Sequence, residues 1–259
     1  MVGGGLANMI GINTCGGQAG AGGGGGEFSN LYSCAFDGID SYIDCGDVSG
    51  LDGATTASWS VWVYIDDAND NYVMSQWSAS TADDRQFMLF CKPSTNRWDV
   101  YCGSNISYRR TDIVTTTGAW HHVAVTYNAS NTAKERVILY LDGTQYIQTT
   151  YNGPTSLKAS PASSFNIGRR TDFTFFEFEG EIDEVSIWTT ELSQTEVDAI
   201  YNLGTPTDLS TSGISGLINW WRNGDPSGQA SFPTIADEVG TNTGTMINML
   251  ATDIVTSVP

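Results

Sequence analysis

In EFEGEIDEVSIW (177–188), Glu177, Glu179, Glu181 and Asp183 recur at every second position. On a strand that spacing places four carboxylates on one face. Two chemistries use carboxylates held this way. Glycoside hydrolysis needs two of them flanking the scissile bond, and calcium is bound by carboxylate and carbonyl oxygens. The wet face of a strand is the plain alternative. The apolar residues of the same stretch contain a fault in parity. Phe176, Phe178 and Ile182 are even and Val185 and Ile187 odd, so one continuous strand cannot bury both sets. A register shift near Asp183–Glu184, the signature of a β-bulge, is expected.

The elements that must position these residues read as strands. SWSVWVYI (58–65) alternates, with Trp59, Val61, Val63 and Ile65 on one face. RQFMLFC (85–91), RWDVYC (97–102), WHHVAVTY (120–127) and RVILYLDG (136–143) continue the pattern, separated by turn signals. An antiparallel sandwich or barrel follows. One helix is predicted in ELSQTEVDAIYNLG (191–204): Ser193 and Glu196 form a capping box, Val197, Ile200 and Tyr201 give an apolar stripe, and Gly204 is a stop. Residues 1–27 are a glycine-rich arm that cannot bury enough apolar surface to fold alone. Its larger side chains, Leu6, Met9, Ile10 and Ile12, are candidates for packing against a partner.

The 259 residues carry a net charge of −18, which repels phosphate backbones and argues against nucleic acid as a partner. No run approaches the roughly 20 apolar residues of a transmembrane helix, so membrane insertion is not expected. The N-terminal stretch lacks the basic region and unbroken apolar run of a signal peptide, so exposure outside cells would follow release by lysis, as for virion proteins. Of five cysteines, Cys34/Cys45 and Cys91/Cys102 share one spacing, and each pair reads either as partners across a hairpin or as buried thiols. Nothing resembles a zinc site, a nucleophile elbow, a P-loop or HExxH.

Several segments resemble, in order, the laminin-G-like branch of the concanavalin-A-like jelly rolls, related to pentraxins. They are CAFDGIDSYIDCGD (34–47), SWSVWVYI, WHHVAVTY, VILYLDG, FNIGRR (165–170) and FEGEIDEVSIWTTELSQTEVDAIYN (178–202). The resemblance implies an all-β, two-sheet antiparallel jelly-roll sandwich over 28–259, with one short helix and the arm in front. It implies a binding module more than an enzyme. GLINWWRNGDPSGQASFPTIADEVGTNTGTMINM (216–249) resembles the segment that usually precedes the FDG strand of such modules, yet here it comes last. The expectation is that 206–259 folds back beside the first strands and completes the sandwich, as in a circular permutation.

The resemblance also sorts the chemistry. Laminarinase-type glycosidases share the jelly roll and carry E-x-D-x-E or E-x-D-x-x-E on a strand. Glu181 and Asp183 fit the first two places, but the third falls on Val185 or Ser186, neither of which donates a proton. No catalytic residue is assigned. Related jelly rolls hold a structural calcium between an early loop and an Asp on a late strand, and the matching residues are Asp37, Asp40 and Asp183. DDAND (66–70) is a second calcium candidate, or a solvated turn. For a glycan, Tyr72, Trp77, Trp98 and Tyr108 are the candidate stacking residues, with Tyr101 nearby. FTFFEF (173–178) and the basic pairs Arg109–Arg110 and Arg169–Arg170 are candidate protein contacts. Two functions are therefore expected. One is a decoration protein of a virion, such as a tailed phage, tethered through its arm to shell or tail proteins and touching host glycans. The other is a free, extracellular, calcium-dependent lectin. A homo-oligomer is compatible with both.

Overall fold

The computed structural model describes residues 28–77, 85–103, 105–147, 151–159, 163–171, 175–224 and 232–259. The expected contacts of Leu6, Met9, Ile10 and Ile12 lie outside them. In chain order the strands are β1 (Ser33–Asp37), β2 (Tyr42–Asp44), β3 (Thr56–Ile65), β4 (Asn71–Trp77), β5 (Arg85–Lys92), β6 (Arg97–Cys102), β7 (Asn105–Arg110) and β8 (Trp120–Asn128). They continue as β9 (Val137–Leu141), β10 (Thr144–Ile147), β11 (Phe165–Ile167), β12 (Glu179–Trp188), β13 (Leu217–Trp221), β14 (Thr234–Ile235), β15 (Gly244–Ile247) and β16 (Ile254–Val255).

They form two antiparallel sheets of 8 strands each, as the resemblance implies. The first runs β10-β9-β8-β3-β12-β1-β16, with β13 also on β12. The second runs β14-β15-β2-β11-β4-β5-β6-β7. The alternation in β3 sends Trp59, Val61, Val63 and Ile65 into the space between the sheets, all at 0% exposure. Trp59 stacks on Phe87 of β5 at 3.9 Å. Burying each such side chain contributes about 1.5–3 kcal/mol.

The capping box forms as expected: the Ser193 hydroxyl accepts from the Glu196 amide, and the Glu196 carboxylate accepts from the Ser193 amide. The helix α1 (Gln194–Tyr201) ends at Asn202, which takes the left-handed conformation ahead of Gly204. Its Val197 and Ile200 pack with Ala124, Tyr140, Trp188 and Trp220, which covers part of the outer face of the first sheet. Among the described residues no helix is long and apolar enough to cross a membrane.

The four described cysteines are buried thiols, none in a disulfide. Cys91 pairs in register with Trp98, and Cys102 with Phe87, so Cys91 and Cys102 sit at opposite ends of their hairpin. The thiol reading therefore applies to them.

Candidate functional site

The acidic centre of β12 lies at a junction between strands. One edge of β12 pairs with β3 throughout. Along its other edge, β1 covers Glu179–Ile182 and β13 covers Val185–Trp188. The register against β3 shifts between Asp183 and Ser186, and Glu184 takes φ 51, so the expected bulge falls where β1 gives way to β13. Gly180 and Ile182 alternate toward β3's inward side, while Glu179, Glu181 and Asp183 face outward. Gly180 has φ 136, and a Cβ there would lie 2.0 Å from the Tyr64 carbonyl, so glycine is required for the strand to approach β3. Glu177 precedes the strand and is buried, so it is not a rung of the carboxylate ladder.

Asp183 and Glu184 are both buried, and their partners tie the two flanking strands together. Asp183 accepts a hydrogen bond from Asn30 Nδ2 at 2.8 Å and from the Glu184 amide at 2.8 Å. Glu184 accepts from Trp220 Nε1 at 2.6 Å and from Arg222 Nε at 3.0 Å. Arg222 also donates to the Ser29 carbonyl and lies 4.4 Å from the Phe28 ring centroid. Burial, followed by the neighbouring Glu184 charge, pushes the Asp183 carboxyl well above its usual range. One guanidinium faces two adjacent acids, and the raised value relieves the surplus negative charge.

The sign of this effect can be tested. A carboxyl whose native pKa is raised binds a proton in the folded state that the unfolded state releases. Its stabilising contribution is full below the unfolded value of about 3.9 and is lost as pH rises through the folded value. The melting temperature of Asp183→Asn is therefore expected to rise relative to the parent as pH increases from about 4 to about 8. A difference that stays flat, or shrinks, would remove the raised carboxyl from the account.

This centre is not a hydrolytic pair. Val185 is in the core, and both Glu184 oxygens are engaged at a side chain 4% exposed. Nor do the calcium candidates converge. Asp37 pairs with Glu179, at the far end of β1 from Asp183. Its Oδ1 is spent on the Ile39, Asp40 and Ser41 amides and the Ser41 hydroxyl. Partial burial opposes ionisation there, but those hydrogen bonds hold the carboxyl below its ordinary value. Asp40 lies within that loop with its amide on Asp37. In DDAND, Asp67 caps Asn69 and Asp70 pairs with Lys92 at 3.2 Å, as in a solvated turn. Among the described residues no group of three potential ligands gathers.

The aromatic candidates divide by face. Trp98 and Tyr108 point into the core at 0% exposure, and Trp98 donates to the Thr115 hydroxyl at 2.7 Å. They have no ring surface for a sugar. Alternation in RWDVYC turns Trp98, Val100 and Cys102 inward and Arg97, Asp99 and Tyr101 outward. Tyr72 and Trp77 belong to that outer side, in a second apolar cluster with Met88 and Phe90 against which Tyr101 packs. The structure thus brings together two of the four predicted rings.

Three guanidinium groups lie over this cluster. Arg85 sits 5.5 Å from the Trp77 ring, Arg97 5.1 Å from Phe90 and Arg170 5.5 Å from Tyr72. In their midst Asp99 is fully buried and chelated from two sides. Arg109 donates from Nε at 2.9 Å and from Nη2 at 3.1 Å, and Arg97 from Nε at 3.0 Å and from Nη2. A buried carboxylate persists only with such pairing. Sequence reasoning passed over Asp99. The available signal was a charge in mid-strand, alternating with Arg97 and Tyr101. Arg109 and Arg170, read as halves of loop pairs, belong to this face. Phe175 and Phe176 are exposed beside it, with Phe176 6.4 Å from Tyr72.

A family model described as the concanavalin A-like lectin/glucanases superfamily matches residues 37–198. No curated protein matches the chain in sequence. A Bacteroides ovatus protein inferred to bind carbohydrate is similar in structure over 85% of this chain, at 19% identity and a TM-score of 0.63. The chain spans 58% of that protein. A heptameric SAP-like pentraxin from Limulus polyphemus is similar over 66% of this chain and 82% of its own, at 14% identity and a TM-score of 0.52. At these identities the likeness is one of fold.

Proposed function

The chain belongs to the concanavalin A-like lectin/glucanases superfamily, and on that footing we propose that it acts as a non-catalytic carbohydrate-binding module. The observation that carries the proposal is the outer face of the second sheet, where Tyr72, Trp77 and Tyr101 stand among charged hydrogen-bonding groups. Part of the corresponding face of the first sheet is covered by α1. The fold likeness to the Bacteroides protein supports the same reading.

Binding of the full chain to an oligosaccharide array, read by fluorescence, tests it. Retained glycans support the module, and a blank array refutes it. Binding is expected to survive chelation by EDTA, because Asp183 is separated from Asp37 and Asp40. Loss of binding on chelation, restored by calcium, would favour the calcium-dependent extracellular lectin instead.

The finer part of the proposal is that this module decorates a virion. Residues 1–27 would tether it to shell or tail proteins, and the jelly roll would project outward. The glycine-rich composition of that arm, with Leu6, Met9, Ile10 and Ile12 as anchors, is the feature behind it. Limited proteolysis of the isolated protein is expected to remove the arm. A monomer with a protected arm would count against tethering.

A further inference from the structure

We infer that the outer face of the second sheet takes an acidic saccharide, its carboxylate or sulfate held at the Arg97–Asp99–Arg109 cluster. The inference rests on the carbohydrate-binding reading above and narrows its ligand class.

Sugars stack on bare aromatic faces. Here guanidinium groups already lie over Trp77, Phe90 and Tyr72, at 5.5, 5.1 and 5.5 Å. The rings are correspondingly covered: Trp77 is 5% exposed, Phe90 6% and Tyr72 8%. The layer above the rings is therefore one of N–H donors and positive charge, which suits an anion better than the apolar side of a neutral sugar.

The charge count points the same way. The chain has 11 Lys and Arg against 29 Asp and Glu. Yet Lys92, Arg97 and Arg109 gather on this sheet and pair with two acids, Asp70 and Asp99. At the centre, two guanidinium groups share one carboxylate, which leaves one positive charge. Each arginine contacts Asp99 through Nε and Nη2, so neither Nη1 is used on that carboxylate. The side chains of Arg97 and Arg109 are 27% and 31% exposed while Asp99 is at 0%. Asp99 thus holds the two forks in place from below, with Tyr101 also hydrogen-bonded to Arg109, and the remaining N–H groups of the pair can meet a ligand carboxylate or sulfate with charge-assisted hydrogen bonds.

The test uses the full chain and matched probes: oligogalacturonate, its methyl ester, a heparin oligosaccharide and a neutral xylo-oligosaccharide. Calorimetry is expected to show at least tenfold tighter binding of an acidic probe than of the ester or the neutral oligomer. That binding should weaken between about 50 mM and 500 mM salt as screening grows. The galacturonate and heparin arms separate carboxylate from sulfate recognition. The triple variant Arg97→Gln, Asp99→Asn, Arg109→Gln leaves no buried charge unpaired and should lose at least tenfold in affinity with its thermal transition intact. Should that variant not fold, phenylglyoxal modification of the parent replaces it, and the acidic probe is expected to protect Arg97 and Arg109. Ester bound as tightly as acid, or neutral glycans alone bound, would overturn the inference and leave the carbohydrate reading standing. An unaffected triple variant, or unprotected arginines, would also overturn it. No glycan bound at all would sink both.

Discussion

A chain ended at Thr205 is expected to lose its cooperative thermal transition and to be recovered only as insoluble protein. Residues 206–259 lie beyond the matched family segment, yet they supply strands to both sheets. β13 pairs with β12, β15 with β2 and β16 with β1. Their removal would expose three strand edges, each a template for association with other chains. It would also empty part of the core. Trp221 is at 0% exposure and stacks on Phe165 at 5.6 Å, Trp220 is at 3%, and Ile235, Met246 and Met249 are buried with them. Truncating one buried Trp costs about 3–5 kcal/mol, and a domain has about 5–15 kcal/mol to lose. Two indoles therefore account for most of that margin before any lost strand is counted. The measurement is circular dichroism melting of a 1–205 chain beside the parent. A soluble truncation with a sharp transition would show that the tail is an appendage.

What could be read in the chain and what could not follows the range of the interactions. The inward row of β3 and the Ser193–Glu196 cap are local, and both were legible from spacing alone. The bulge was legible too, because a strand with one buried side cannot change parity without one. The ladder was overdrawn at Glu177 because spacing does not say where a strand begins. Trp98 and Tyr101 posed another problem. RWDVYC has an aromatic residue in each alternate set, so the pattern fixes the two faces without saying which is inward. Nearness to a turn favoured Trp98 as a surface residue, but the packing of β6 places it inside. Asp99 and Arg222 were not singled out, and Glu184 was read only as part of the bulge, because their meaning lies in distant partners. Arg109 reaches Asp99 from the neighbouring strand, and Arg222 reaches Glu184 from 38 positions away. The calcium candidates stand apart for a related reason. Asp37 and Asp183 lie on adjacent strands, but the antiparallel register places them at opposite ends of β1.

Arg222→Ala is expected to cost about 3–5 kcal/mol, far beyond an ordinary surface substitution. Arg222 and Glu184 are each 4% exposed at the side chain, so neither can fall back on water when the other is removed. Beside Glu184 stands Asp183, itself buried and with its carboxyl already pushed toward the protonated form, so the variant would leave Glu184 without its cation next to a second buried acid. The lost guanidinium also lies between β13 and the chain entering β1, bonded to Ser29 and placed over the Phe28 and Trp220 rings. Lysine should restore little, because it lacks the planar fork that serves Glu184 and Ser29 together. Urea unfolding of Arg222→Ala, Glu184→Gln and the double variant separates charge from packing. The double variant is expected to be more stable than Arg222→Ala alone, since it no longer buries an unpaired glutamate. The deficit of Arg222→Ala should also shrink as pH falls toward the carboxylate range, where protonation removes the repulsion. A loss below about 1 kcal/mol, the scale of exposed ion pairs, would show that water reaches Glu184 and that the junction of β1 and β13 is held by their strands alone.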